Sequence, residues 1–246
     1  MKKIFFATIV AALFAACDTE NLNPSKQTMS ASGIATLRFD YRLGGGDMYT
    51  RSDAGWSTFY SEILSGELVE PRFSLYFTPI GGSSQKAINI SSTWRSKEKF
   101  NIPTGRYRIT GSSVVNSKGY IKCYCTLTFD EERDITGAED HLFLNARYGS
   151  YLLYAQQATT QKVTNCGSKG EEPFFALRDD YYYAFADGPL TDHTAGAANV
   201  IRLYNPDGST TDIATNPHPF QVGRYYVLAG RGQTFGFDAQ EMEQGN

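Results

Sequence analysis

Three kinds of side chain in this sequence could do chemistry: thiols, imidazoles and paired carboxylates. Cysteine stands at positions 17, 123, 125 and 166. Ile121, Cys123, Cys125, Leu127 and Phe129 alternate with Tyr120, Lys122, Tyr124, Thr126 and Thr128. On a strand, that spacing puts Cys123 and Cys125 on one apolar face, where cysteine packs as a small hydrophobe. An export route also permits a disulfide between Cys166 and one of that pair, so buried thiols and a bridge both stay open. Zinc would need partner histidines close to the thiols, and the sequence places none there. His141, His193 and His218 read as residues of three separate loops. There is no His-Glu-x-x-His run, no Gly-x-Ser-x-Gly elbow and no glycine-rich phosphate loop. Carboxylates cluster at Asp130-Glu131-Glu132, Glu171-Glu172 and Asp179-Asp180. A glycosidase needs two carboxyls about 5–10 Å apart across a cleft, and these clusters read instead as solvated turns. Asp130 to Asp134 with Asp140 offers oxygen ligands for calcium but lacks the spaced Asp/Asn/Gly loop. The expectation is therefore no catalytic residue, no metal, no cofactor and no enzyme.

Aromatic side chains offer binding rather than reaction. The run Asp180-Tyr181-Tyr182-Tyr183-Ala184-Phe185 puts Tyr181, Tyr183 and Phe185 on one face of a strand and Tyr182 on the other. One face must fill a core. The other would present Tyr182 outward, beside Tyr154 and one of Tyr225 or Tyr226. Trp94 and Trp56 would join from an earlier part of the chain. Tyrosine has a flat apolar body and a polar tip, which suits stacking on a sugar or anchoring a protein partner. Core packing of the same rings is the alternative. Nucleic acid is not an expected partner, because the net charge is −3 and no lysine/arginine cluster is present.

The elements that position these residues are strands. Ala35, Leu37, Phe39, Tyr41 and Leu43 alternate with Thr36, Arg38, Asp40 and Arg42, and Phe73, Leu75 and Phe77 with Arg72, Ser74 and Tyr76. Each is the pattern of a half-buried antiparallel strand. Turn signals separate them at Gly44-Gly45-Gly46, Gly81-Gly82, Asn116 to Gly119 and Asn205-Pro206-Asp207-Gly208. Ser57 to Leu68 is the one short helix expected. Two stretches also look alike. Leu75-Tyr76, a Pro79/Gly81 turn, Ile88 and Phe100-x-Ile102…Gly105-Arg106-Tyr107-x-Ile109 match Leu203-Tyr204, a Pro206/Gly208 turn, Ile213 and Phe220-x-Val222-Gly223-Arg224-Tyr225-x-Val227. The expected fold class is all-β. Two antiparallel β-sandwich domains of transthyretin-like or immunoglobulin-like type would span 33–148 and 149–246, the second ending in a polar tail.

The first residues read as an address. Lys2 and Lys3 precede an apolar run from Ile4 to Ala16 broken only by Thr8, followed by Ala15-Ala16-Cys17. This is the layout of a secretory signal over 1–16, and the run falls short of the about 20 apolar residues that cross a bilayer. Ala15, Ala16 and Cys17 resemble a bacterial lipobox, with Phe14 standing where an aliphatic residue is usual. The resemblance implies a diacylglyceryl thioether and an acylated amine, palmitate among the acyl groups, on Cys17. Buried acyl carbon contributes about 0.8 kcal/mol per CH₂, and stable anchoring takes more than one chain. Asp18 and Glu20 resemble the acidic residues that mark lipoproteins for the outer cell surface in the Bacteroidetes. Residues 17–32 are polar and read as a flexible tether.

The lipobox, the tether, the two β-domains and above all Asn101-Ile102-Pro103-Thr104-Gly105-Arg106-Tyr107 resemble Bacteroidetes surface lipoproteins of the fimbrillin type. That resemblance implies two transthyretin-like sandwiches, an outer-membrane location facing the cell surface, and a role as fimbrial anchor, tip or accessory subunit. It also implies a strand exchanged between subunits, with Arg42 and Arg51 flanking a glycine-rich stretch where a protease could release the first strand. The expected partners are the membrane, through Cys17, and another surface or fimbrial protein. The alternative is a glycan-binding lipoprotein of a polysaccharide-uptake system, using Tyr182, Trp94 and Tyr154. Replacing Cys17 by alanine should move the chain from the membrane pellet to the soluble fraction. Recovery of that variant in the pellet, released only by detergent, would contradict lipid anchoring.

Overall fold

The computed structural model describes residues 33–44, 54–81, 86–115, 119–190, 199–215, 220–229 and 238–241. The signal, Cys17, the tether, Arg51, His193 and His218 lie outside them. In chain order the elements are β1 (Ile34–Leu43), α1 (Ala54–Ser65), β2 (Phe73–Pro79), β3 (Ile88–Ser92), β4 (Lys99–Pro103), β5 (Gly105–Ser113), β6 (Leu127–Ile135), β7 (His141–Tyr148) and β8 (Tyr151–Gln156). They continue with β9 (Lys162–Gly167), β10 (Gly170–Pro173), β11 (Phe175–Leu177), β12 (Tyr181–Ala186), β13 (Val200–Tyr204), β14 (Thr210–Ala214), β15 (Arg224–Val227) and β16 (Asp238–Glu241). The fold is all-β with one short helix.

The strands form three sheets. The largest has the order β3-β2-β5-β6-β7-β1-β4 and is antiparallel except where β1 lies parallel to β7. It curls on itself. Phe39 of β1 stacks on Phe77 of β2 with centroids 5.6 Å apart, and Tyr41 meets the edge of Phe73 at 5.3 Å, although β1 and β2 stand far apart in the strand order. The inner face, with Leu37, Phe39, Leu75, Ile109 and Leu144, closes around one core. A five-stranded sheet, β11-β12-β8-β15-β16, and a four-stranded sheet, β10-β9-β13-β14, enclose a second core that includes Tyr151, Leu153, Val163, Ile201 and Leu203.

The five-stranded sheet is covered on both sides. Leu152, Tyr154, Tyr181, Tyr183, Phe185 and Tyr225 join the first core, while Tyr151, Leu153, Ala184, Ala186 and Tyr226 join the second. Helix α1 fills the space between this sheet and the curled one. Trp56, Phe59, Tyr60 and Ile63 recur at helical spacing on its buried side. The Trp56 ring lies parallel to Tyr225 at 4.8 Å, and Phe59 packs on Tyr154 at 5.1 Å. The helix ends where Gly66, at φ +79°, donates to Ile63 O at 2.9 Å and Glu67 N donates to Glu62 O at 3.0 Å, a Schellman end.

Three expectations need correction. The alternating run from Tyr120 to Phe129 is not one strand: β6 begins at Leu127, and 119–126 crosses to the second core, where Ile121 is buried. The acidic residues 130–134 lie on β6, not in a turn, and His141 opens β7. The two similar stretches share hairpins, β2–β3 and β13–β14, but part company afterwards. β5 pairs with β2, whereas β15 pairs in parallel with β8 in the opposite sheet.

Gly55 is the tightest point of the helix. A Cβ there would stand 2.6 Å from Cε2 and 2.9 Å from the hydroxyl of Tyr154, a ring that is 1% exposed and held by Phe59 and Tyr181. Glycine to alanine within a helix ordinarily stabilises by roughly 0.5–1 kcal/mol. Overpacking a fixed ring costs about 1–3 kcal/mol and should win. Gly55→Ala is expected to lower the urea midpoint with an unchanged slope; a raised midpoint would mean that α1 does not pack on Tyr154.

Candidate functional site

The rings expected to form a contact platform are separated by the fold. Tyr183 lies opposite Tyr154 in the β12–β8 register, and Tyr182 lies opposite Ala155. Tyr154 and Tyr182 therefore point to opposite faces of the five-stranded sheet. Tyr154 is buried among Phe59, Tyr181 and Tyr225. Tyr182 is half-buried against the second core and donates its hydroxyl to Gln161 O at 2.6 Å. Trp94 is half-buried elsewhere: it stacks on Tyr41 at 5.7 Å and donates its indole N–H to Leu64 O at 3.3 Å. Tyr154 and Tyr182 thus pack on opposite faces of the five-stranded sheet, and Trp94 packs against the first core.

Cys123, Cys125 and Cys166 are three free thiols. Cys125 is fully buried in the first core, tied by its N–H to Leu68 O at 2.7 Å and by its thiol to the Ser150 hydroxyl at 3.4 Å. Burial pushes its pKa up to about 12. Cys123 is half-buried and not on a strand, and burial raises it too. Cys166 lies on β9 of the four-stranded sheet, 3.2 Å from the Thr164 hydroxyl. Cys123 and Cys125 share the 119–126 segment, whereas Cys166 lies on β9.

The polar groups pair locally. On the outer face of the curled sheet, Arg108 meets Asp130 through two hydrogen bonds of 3.0 Å, and Arg106 meets Glu132 at 2.9 Å. His141 Nδ1 lies 2.6 Å from Asp40 Oδ2, and Arg38 lies 3.2 Å from Oδ1 of the same carboxylate. Those hydrogen bonds hold the Asp40 carboxyl below its ordinary range, the His141 contact most of all. On the four-stranded sheet, Arg202 grips Asp212 at 2.7 and 2.8 Å and lowers its pKa. Among the described residues, no three His, Cys, Asp or Glu side chains come together to hold a metal. No described helix is long and apolar enough to cross a membrane.

Two features carry more interest than the residues first singled out. One is Tyr76, 46% exposed on the outer face of β2, with Asn89 of β3 and Thr110 of β5 as its lateral neighbours. Its outward position was already visible in the alternation with Phe73, Leu75 and Phe77. The other is the set of sheet edges: β3 and β4, β10 and β14, β11 and β16. The five-stranded sheet ends on β16, four residues paired to β15.

No family model matches the sequence, and no curated protein does. The fold is similar to that of several solved structures. A candidate cell adhesion protein from Bacteroides uniformis shares 8% identity over 86% of this chain and 98% of its own, with a TM-score of 0.44. A fimbrial assembly protein from Parabacteroides distasonis shares 9% over 84% of this chain and 95% of its own, at 0.40. The fimbrial anchor protein Mfa2 from Porphyromonas gingivalis shares 11% over 79% of this chain and 91% of its own, at 0.30.

The thiol environments give a direct check. In a chain made without Cys17, native Cys123, Cys125 and Cys166 should react slowly with a thiol reagent near pH 8. All three should react at once after denaturation without reductant. Fewer than three reactive thiols in denaturant would reveal a disulfide.

Proposed function

We propose that this chain is a non-enzymatic surface lipoprotein with a structural or adhesive role. It is anchored in the outer membrane through lipid on Cys17 and joins another surface or fimbrial protein by adding backbone at a sheet edge. In this reading 33–148 and 149–246 are its two sandwich domains, and the tether carries them outward from the membrane. The observation that carries it is the double coverage of the five-stranded sheet. With both faces filled by Tyr154, Tyr183 and Tyr225 on one side and Tyr151, Leu153 and Tyr226 on the other, the open backbone of that sheet lies only along its edges. The β15 edge is closed by just four residues of β16. An incoming strand gains main-chain hydrogen bonds there, and alternate side chains set its register.

The second reading, glycan binding, draws its support from Tyr76 rather than from Tyr182 and Trp94. Tyr76 is flanked by Asn89 and Thr110, with Ser74 and Ser112 in the next row. Short hydroxyl and amide groups around one flat ring suit a neutral sugar. Photo-crosslinking side chains introduced in living cells at positions 89, 210 and 240, on the edges, and at 76, on the face, separate the two. Adducts to another surface protein from an edge position are expected. Adducts from position 76 alone, together with saccharide-array binding abolished by Tyr76→Ala, would replace the first reading by the second.

A further inference from the structure

Lys122 precedes β6 of the curled sheet, yet its backbone pairs with β12 of the five-stranded sheet. Its N–H donates to Phe185 O at 2.8 Å, and Phe185 N–H donates back to Lys122 O at 2.9 Å, an isolated antiparallel bridge. Side chains alternate across an extended segment. Ile121 enters the second core, so Lys122 turns to the other side with Phe185, which belongs to the first. Asp187 follows the end of β12, and its side chain is half exposed. The Lys122 side chain is 10% exposed, and its Nζ is in direct contact with Asp187 Oδ2. A second carboxyl, Glu70, stands within electrostatic reach of Lys122 and is fixed from behind by its N–H, which donates to Cys125 O at 2.9 Å. Burial raises the Glu70 pKa, and the charges of Lys122 and Arg72 oppose that rise.

We propose that Lys122 and Asp187 become joined by an isopeptide bond that covalently ties the 119–126 segment to the end of β12. An ammonium and a carboxylate condense to a secondary amide and one water, with no oxidant or reductant. One Nζ proton passes to water and Nζ attacks Cγ of Asp187, forming the C–N bond. A proton returned from water and the second Nζ proton go to the departing oxygen, the C–O bond breaks, and one water leaves. In free solution the ions win over the amide. Here the bridge to Phe185 holds the Lys122 backbone and its Nζ contacts the Asp187 carboxylate, and well-oriented intramolecular reactions reach effective molarities of about 10⁵–10⁸ M.

Trypsin and mass spectrometry decide it. Trypsin does not cleave after an amide-linked lysine. The chain purified from its own cells should yield peptide 119–133 joined to peptide 179–202, lighter than their sum by one water. Lys122→Arg and Asp187→Ala should each abolish the branched product. Complete cleavage after Lys122 in the unaltered chain, giving peptides 119–122 and 123–133 with no branched product, would show a plain ion pair and overturn the proposal.

Discussion

A β-sheet with one face in water can afford polar side chains at every second position, but the five-stranded sheet here has no such face. Each of its central strands must supply apolar bulk in both directions. In β8, Tyr151 to Ala155 are all buried, and in β12 only Tyr182 is half-exposed. Tyrosine meets this demand because its ring fills a core while its hydroxyl reaches past it. The hydroxyls of Tyr151, Tyr183 and Tyr182 donate to Gly188 O, Cys123 O and Gln161 O. Tyr226 takes the Gln221 N–H at 3.0 Å. Among the described residues the Tyr148 hydroxyl is an exception, buried without a partner, and its pKa is raised accordingly. Among the described residues, α1 and the curled sheet cover one side of this sheet, and β9, β10, β13 and β14 cover the other.

That arrangement ties the two halves of the chain into each other. Glu62 of α1 is buried and paired to Arg178, which adopts φ +54° in the turn between β11 and β12. A non-glycine residue in the left-handed region is uncommon and marks a position the surroundings hold in place. Glu172 of β10 accepts the Tyr120 N–H at 3.2 Å and the Asn165 amide at 2.9 Å. A Cβ on Gly119 would stand 2.4 Å from that carboxylate, which would have to shift away to admit it. These part-buried contacts join distant parts of the chain, whereas the outer ladder of Arg106, Arg108, Asp130 and Glu132 pairs neighbouring strands, where exposed pairs contribute about 0–1 kcal/mol each.

Strand periodicity was legible wherever one face meets water. β1 and β2 follow the alternation of Leu37, Phe39, Phe73 and Leu75, and α1 lies within three residues of the predicted helix at either end. It misled wherever the environment was two-sided. Tyr182 and Tyr154 looked spare because a single-core reading leaves one face over, and the sequence does not say that a second layer covers it. The run ending at Phe129 misled differently, since alternation does not reveal that Ile121 and Cys125 serve two different cores. The cross-half partners Glu62, Lys122, Glu172 and Arg178 carried no local signal, because each pairs across more than fifty residues.

The parallel pair of β1 and β7 has a consequence for how the chain is made. Asp40 and His141 are neighbours in space but 101 residues apart in sequence. A chain made from its N-terminus presents β1 before the other strands. That strand then waits, with both backbone edges open, until the residues of β4 and β7 arrive. Loop closure of this length is slow, and unpaired strand edges invite association during the delay. The hardest moment for this protein therefore comes before it is folded, when a holding factor for unpaired β-strands would determine how much of it matures.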